Sequence, residues 1–446
     1  MISRLASGFR NEPVAQRLLR NLKWIFSSQV AVALLGMIYL AFGARALGAA
    51  GLGMLALVES YGRIIERLIH LEPWQAVIRN GSEALEADND GRFGRLVGLS
   101  VLLDLFGGVL AASVALLLVP VAAPWFGFDA SQYWLLIAAA AAALISLRAT
   151  GLALLRLYDR FDLLAKIDTA VAGLRAALAV GIWAAGFGLA GFVAIYVIVS
   201  LLNGTAALIA GIREMRRRNQ QVRIGAVREA LNENPGLLRL MWNSNLAVIL
   251  RQTSQRFDVI ILAALVPAAS VGYYHVARRC GDVALRLGRP ISQAIYPELT
   301  RFAARGELAR IGRVVRGVSL GFAAVMIVVL APVIWQLEPI VTTIFGDTFA
   351  PAVPVVAIQA VAVGFYMCGI VMNPALLSLD QDRVMVRIGA TSTVLFFVLV
   401  VPMVKLFGVA GGAGTHLICN AIWLILCVVI LRKSLRQTVV AKEVSS

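Results

Sequence analysis

Twelve apolar segments, each long enough to cross a bilayer, divide this chain, and no other feature restricts its fold as severely. They fall at about 22–43, 52–76, 96–124, 133–155, 167–187, 189–212, 240–266, 271–296, 314–336, 352–377, 386–406 and 409–431. In hydrocarbon, every backbone N–H and C=O must be satisfied without water, and segments of this length achieve that as helices. The expected fold class is therefore an all-α polytopic membrane protein. Of the 446 residues 60% are hydrophobic, and the mean hydropathy is +0.82. The remaining connections are short and leave no room for a large soluble domain.

Charge gives the orientation. The net charge is +16, yet no basic folded domain is present to bind nucleic acid. Segments 1–23, 79–95, 156–166, 213–239, 298–316, 378–387 and 432–446 hold 29 of the 41 Lys and Arg residues. The alternate connections hold only Arg45 and Lys405. Such a bias is the positive-inside pattern, and it places both termini in the cytoplasm. The basic leader, with Arg4, Arg10, Arg17, Arg20 and Lys23, precedes a run of full span length, so a retained first helix is expected rather than a cleaved signal. Cys280, Cys368, Cys419 and Cys427 all lie in apolar segments without CxxC or Cys/His spacing, as core thiols do.

The chain repeats itself. "KW" at 23–24 matches "MW" at 241–242, and "GAAGLG" at 48–53 matches "PAASVG" at 267–272. "WQAV" at 74–77 matches "SQAI" at 292–295, and "FGLAG" at 187–191 matches "FGVAG" at 407–411. All four lie at offsets of 218–220, a distance of six spans. An even number of spans keeps both halves in the same orientation, so the expectation is two six-helix lobes related by a pseudo-twofold along the membrane normal. The lobes would comprise residues 22–212 and 240–431. A basic segment, 1–21, precedes them, a linker, 213–239, joins them, and a tail, 432–446, follows.

Two of the expected spans carry many charges. In "LALVESYGRIIERLIHLEPWQAVIR" (55–79), Glu59, Arg63, Glu66, Arg67 and His70 fall within an arc of about 100° at 100° per residue. In "VGYYHVARRCGDVALRLGRPISQAI" (271–295), His275, Arg278, Arg279, Asp282, Arg286 and Arg289 do the same. At offset 219, Glu59 corresponds to Arg278, Arg63 to Asp282 and Arg67 to Arg286. The polar face is duplicated while two of three signs invert. Interfacial helices, or purely structural i,i+4 pairs, are the bland readings. A charge at mid-bilayer costs about 2.5–3.5 kcal/mol, so several on one helix favour a protein-lined aqueous cavity. Arg251, with Gln255 and Asp258 on its face, sits at similar depth, whereas Asp104, Arg148, Asp168 and Arg175 lie scattered over other spans, as end-of-span snorkelling groups, lobe-internal pairs or cavity residues. The span interiors hold ten Arg against six carboxylates, a balance that suits phosphate or carboxylate cargo.

No GK[ST] phosphate loop, HExxH or GxSxG is present, no catalytic or metal-ligating residue is assigned, and the outer loops are too short for a catalytic domain. The stretches "ARALGAAGLGMLALVES", "LEPWQAVIR", "VGYYHVARR" and "ISQAIYPELTRF", with the two FG(L/V)AG turns, resemble the polysaccharide or O-antigen flippase family of the MATE-like MOP exporter superfamily. The resemblance covers nearly the whole chain. It implies a MATE-like fold with a central cationic cavity between the lobes. It also implies carriage of a polyprenyl-pyrophosphate-linked oligosaccharide from the cytoplasmic to the periplasmic leaflet of a bacterial inner membrane by alternating access. Partners would be that lipid-linked substrate, membrane lipids and other polysaccharide-assembly proteins. The expected cargo-binding residues are Arg63, Arg67, Arg251, Arg278, Arg279, Arg286 and Arg289. Glu59, Glu66, Asp258 and Asp282 are candidates for pairing or for coupling to H⁺ or Na⁺, with no other cofactor. The rival readings are a MATE-like exporter of small molecules, a membrane enzyme of glycan assembly, and a non-transporting scaffold.

Overall fold

A computed structural model describes residues 12–70, 74–144, 147–239, 241–242, 245 and 257–445. Among them every regular element is helical. The first half supplies α1 (Glu12–Ile69), α2 (Trp74–Glu86), α3 (Asp90–Trp125), α4 (Tyr133–Ala143), α5 (Arg148–Leu157), α6 (Phe161–Ala185), α7 (Gly188–Arg217) and α8 (Val227–Glu233). The second supplies α9 (Asp258–Ala263), α10 (Ala268–Ala304), α11 (Leu308–Trp335), α12 (Leu337–Phe345), α13 (Val353–Cys368), α14 (Met372–Ser378), α15 (Asp382–Phe407) and α16 (Val409–Ser445).

Eight of the described stretches are long and apolar enough to cross a membrane, against the twelve expected. The difference has identifiable sources. The first two expected spans run together as α1, interrupted only where Gly48 takes φ 61° and ψ −175°. The seventh lies largely outside the described residues. The fifth and eighth correspond to α6 and α10, the first broken by Asp168 and Arg175, the second by five charges between Arg278 and Arg289.

The two FG(L/V)AG turns share a backbone feature. α6 ends on Gly186 in the left-handed region, and Gly188 follows at φ 58° before α7 starts. Gly408, 220 residues later, holds the same φ of 58° between α15 and α16. Glycine adopts a positive φ most readily, which suits it to both FG(L/V)AG turns.

The chain forms two compact units, Met1–Tyr39 with Val58–Leu250, and Leu40–Leu57 with Arg251–Ser446. Phe93, Leu96, Leu135 and Phe192 are fully buried in the first. Tyr274, Phe345, Phe349 and Phe396 are fully buried in the second. Many apolar side chains point outwards, Phe106 and Leu117 in the first unit and Ile327 and Val328 in the second, as surfaces made for lipid do.

Inside the second unit, residues 40–57 cross the start of α10 through small residues. A methyl group on Gly53 would overlap the carbonyl oxygen of Ala268, and one on Gly272 would overlap that of Ala49. Positions 49 and 268, and 53 and 272, are equivalent at offset 219, so this is a local two-fold contact of the small-xxx-small kind. Nearby, the Arg45 guanidinium donates to the carbonyls of Thr343 and Ile344, which satisfies the C-terminal end of α12. Gly53→Val and Gly272→Val are each expected to cost at least the 1–3 kcal/mol typical of overpacking, because backbone rather than a movable side chain blocks the methyl groups. Thermal unfolding of the purified variants against Gly36→Val, which has open space around it, measures the effect.

Candidate functional site

Each unit buries a carboxylate and surrounds it with cations and hydroxyls. In the first unit Glu59, 1% exposed, lies on the second part of α1. Its Oε1 accepts from the Tyr39 hydroxyl at 3.1 Å and from Arg175 Nη2 on α6 at 2.5 Å. Its Oε2 is 3.0 Å from Arg63 Nη2, one helical turn further on. The Arg175 guanidinium also lies over the Tyr39 ring, 3.8 Å from the centroid. Gly62 leaves room for the Tyr196 hydroxyl from α7, which a methyl group there would strike. Two guanidinium groups thus neutralise one carboxylate, leaving this cluster net cationic.

In the second unit Asp258 opens α9 and is equally buried. Its Oδ1 accepts from the Val259 N–H at 2.8 Å, and its Oδ2 from the Tyr274 hydroxyl at 2.7 Å. Arg278 Nε reaches Oδ2 at 3.0 Å. His416 Nε2, on α16, lies 3.2 Å from Oδ2 and 2.9 Å from the Tyr274 oxygen. The imidazole is stacked against Tyr274 and packed by Phe396 of α15 at 4.9 Å. Low dielectric makes these contacts strong, and full hydrogen bonding is what allows the charges to be buried at all.

The two clusters occupy equivalent positions. At offset 219, Tyr39 corresponds to Asp258 and Glu59 to Arg278. At offset 220, Tyr196 corresponds to His416. In one half the acid is on the 59/278 position and its hydroxyl partner on 39/258. In the other half the acid is on 39/258 and a guanidinium takes the 59/278 position. The sign inversion at 59/278 therefore has a structural counterpart: in the second half the acid sits where the first half has its hydroxyl partner, and a guanidinium that binds this acid takes the acid's former place.

The charges scattered over other spans are paired within the first unit. Arg148 binds Asp168 at 2.8 Å and also the Asn203 side chain. Asp104, fully buried, accepts the Thr150 N–H at 2.9 Å, and His70 Nε2 lies 3.1 Å from its carbonyl oxygen and 3.6 Å from its Oδ1. Arg175 is the Glu59 partner already described. In the structure these groups are occupied by one another.

Among the expected cargo residues, Arg63 is tied to Glu59 with 29% of its side chain exposed. Arg67 and Glu66 are half-buried on the same helix, and each has partners. Arg278 is held by Asp258. Arg279 lies 3.9 Å from Asp282 and 3.4 Å from His275 Nε2. Arg286 is half-buried and, among the described residues, makes no ion pair or hydrogen bond. Arg289 belongs to α10, and Arg251 lies outside the described residues. Sequence reasoning missed Tyr39, Tyr274 and His416. Tyr39 and His416 lie in apolar spans and Tyr274 adjoins the charged face of α10; the duplication offset, applied position by position, singles out 39/258 and 196/416.

With this geometry in view, the comparisons with known proteins agree on one architecture. The fold matches that of the lipid II flippase MurJ with a TM-score of 0.69 at 12% identity, covering 93% of this chain and 89% of that one. It matches a mutant of the Vibrio cholerae MATE transporter VcmN with a TM-score of 0.60 at 16% identity, covering 95% and 98%. An all-α chain of this kind is a polytopic membrane protein with the MOP-superfamily fold. Residues 18–303 match the family described as "Polysaccharide biosynthesis protein", and the chain belongs to that family. Inner membrane protein YghQ of Escherichia coli K12 is 28% identical over 341 residues, 75% of this chain and 94% of YghQ.

Proposed function

We propose that this protein is a flippase that carries a polyprenyl-pyrophosphate-linked oligosaccharide across a bacterial inner membrane, from the cytoplasmic to the periplasmic leaflet. Membership of the polysaccharide biosynthesis family supports the glycan part of this reading. The fold shared with a lipid II flippase supports the lipid-linked part, and the relative YghQ, an inner membrane protein, supports the location. Both termini are cytoplasmic in this reading, because the basic connections lie on their side.

The observation that carries the anionic cargo is Arg286. Its guanidinium shares a helix face with Arg278, Arg279 and Asp282, yet among the described residues it makes no ion pair, and Asp282 lies 3.9 Å from Arg279. A half-buried cation in a membrane helix is costly without a counter-charge, and the pyrophosphate headgroup supplies one through paired hydrogen bonds. Arg279 adds positive charge on the same helix face, and within the first unit Arg63 and Arg67 do so on α1. The protein works as a transporter rather than an enzyme, moving its cargo by alternating access without making or breaking a bond.

Deletion of the gene in the source cell, followed by assay of lipid-linked oligosaccharide on each leaflet, tests the proposal. The expected result is accumulation on the cytoplasmic leaflet. Unchanged glycan export would refute it.

A further inference from the structure

The connection between α7 and the second half of the chain is not a loose tether. Arg223 N–H donates to the Gly94 carbonyl of α3 at 3.0 Å. Methyl groups on Gly94 and Gly98 would overlap the carbonyls of Gln221 and Arg223, so the segment lies directly on the helix backbone. Gln220 bridges Asp90 and the Tyr158 hydroxyl, both at 2.6 Å. On α8, Glu233 receives two hydrogen bonds from Arg95, at 2.8 and 2.5 Å, which hold its carboxyl below the usual range. Arg92 donates to Asn234. Ala230, Leu237 and Met241 are buried against Ala76, Leu96 and Leu99.

A segment pinned so firmly nevertheless leaves its large apolar side chains outside. Ile224 is 65% exposed at a turn made by Gly225, and Val227, Leu238 and Trp242 are exposed as well. Arg213, Arg216, Arg223 and Arg228 are exposed in the same stretch, and none makes an ion pair among the described residues. Topology alone accounts for the arginines but gives no reason for exposed isoleucine and valine in a polar connection, while Trp242, at the start of the seventh expected span, is an interfacial aromatic. The position accounts for both. The backbone of Ile224 rests at Gly98, seven residues before the exposed Leu105 and Phe106, which is about 10 Å along the helix. When Leu105 and Phe106 face acyl chains, Ile224 is level with the headgroups.

We propose that residues 213–239, together with Trp242, form an interfacial anchor that binds anionic phospholipid headgroups of the adjacent leaflet. The arginines contact phosphates, and Ile224, Val227, Leu238 and Trp242 enter the boundary between headgroups and acyl chains. Pinning to α3 holds the anchor at that depth, so lipid composition acts on the first unit through a rigid element. The proposal is independent of the cargo assigned above.

The test uses the full chain, purified and placed in nanodiscs of phosphatidylcholine alone or with phosphatidylglycerol. Ile224→Cys is labelled with an environment-sensitive fluorophore, and the unsubstituted chain, with its four cysteines, provides the labelling background. The expected result is blue-shifted emission, quenched at least twofold more by headgroup-proximal spin-labelled lipid when phosphatidylglycerol is present. Combined Arg213→Gln, Arg216→Gln, Arg223→Gln and Arg228→Gln should remove that dependence, and so should 1 M salt, which shortens the screening length to about 3 Å. Emission equal to that of the free dye–cysteine adduct in buffer would overturn the proposal. A blue shift that persists without quenching, in both lipids, would also overturn it, because the site would then be covered by protein.

Discussion

Asp258→Ala is expected to cost about 3–5 kcal/mol, because it leaves the Arg278 guanidinium in the protein interior without its carboxylate. Only 17% of the Arg278 side chain is exposed, so water cannot replace the lost partner. The Tyr274 hydroxyl loses its acceptor in the same step, and His416 loses one of two polar neighbours. Chemical unfolding of the detergent-solubilised protein is the measurement. Removing the charge as well, in Asp258→Ala with Arg278→Met, should recover part of the loss, since an apolar pair is often as stable as a buried ion pair. Wild-type unfolding for the single variant would show that the cluster does not hold the second unit together.

Arg286→Ala should behave in the opposite way. With no partner to abandon among the described residues, its removal is expected to leave unfolding within about 0.5 kcal/mol of wild type. Cargo loses a charge-assisted interaction of about 1.5–3 kcal/mol, which corresponds to roughly 10–150-fold in affinity. Transport of lipid-linked oligosaccharide in a deletion strain should fall accordingly while the protein inserts normally. Arg63→Ala separates the two effects less cleanly, because Arg63 also supports Glu59, although Arg175 and Tyr39 remain in place there. Full transport by both variants would leave the anionic-cargo reading without its arginines.

Much of the architecture is legible in the sequence because lipid simplifies the physics. Length, hydropathy and the side on which Lys and Arg collect suffice to name helices and halves. The polar faces of α1 and α10 are legible for the same reason, since 100° per residue is a local rule. Pairing is not local. Nothing near Arg175 in sequence identifies Glu59, 116 residues away, as its partner, and Asp258 and His416 are 158 apart. The balance of ten Arg against six carboxylates likewise does not show which charges are already paired, and Arg148, Arg175 and Arg278 each hold a carboxylate. The Gly48 kink shows the reverse case. A glycine in "GARALGAAGLG" marks the break, but φ/ψ at one residue decides whether two spans are separated by a loop or joined as a bent rod.

The shift of the acid between positions 39/258 and 59/278 also bears on history. If the two halves began as identical copies, at least one of them had to move its acid from one of these positions to the other. Neither substitution is tolerable alone: the first would give two buried acids or none, and the second would strand a cation. The change therefore had to pass through a paired replacement or through a less buried intermediate. The halves are now bound to their own solutions, and neither can be copied over the other at these positions without rebuilding the partner residue as well.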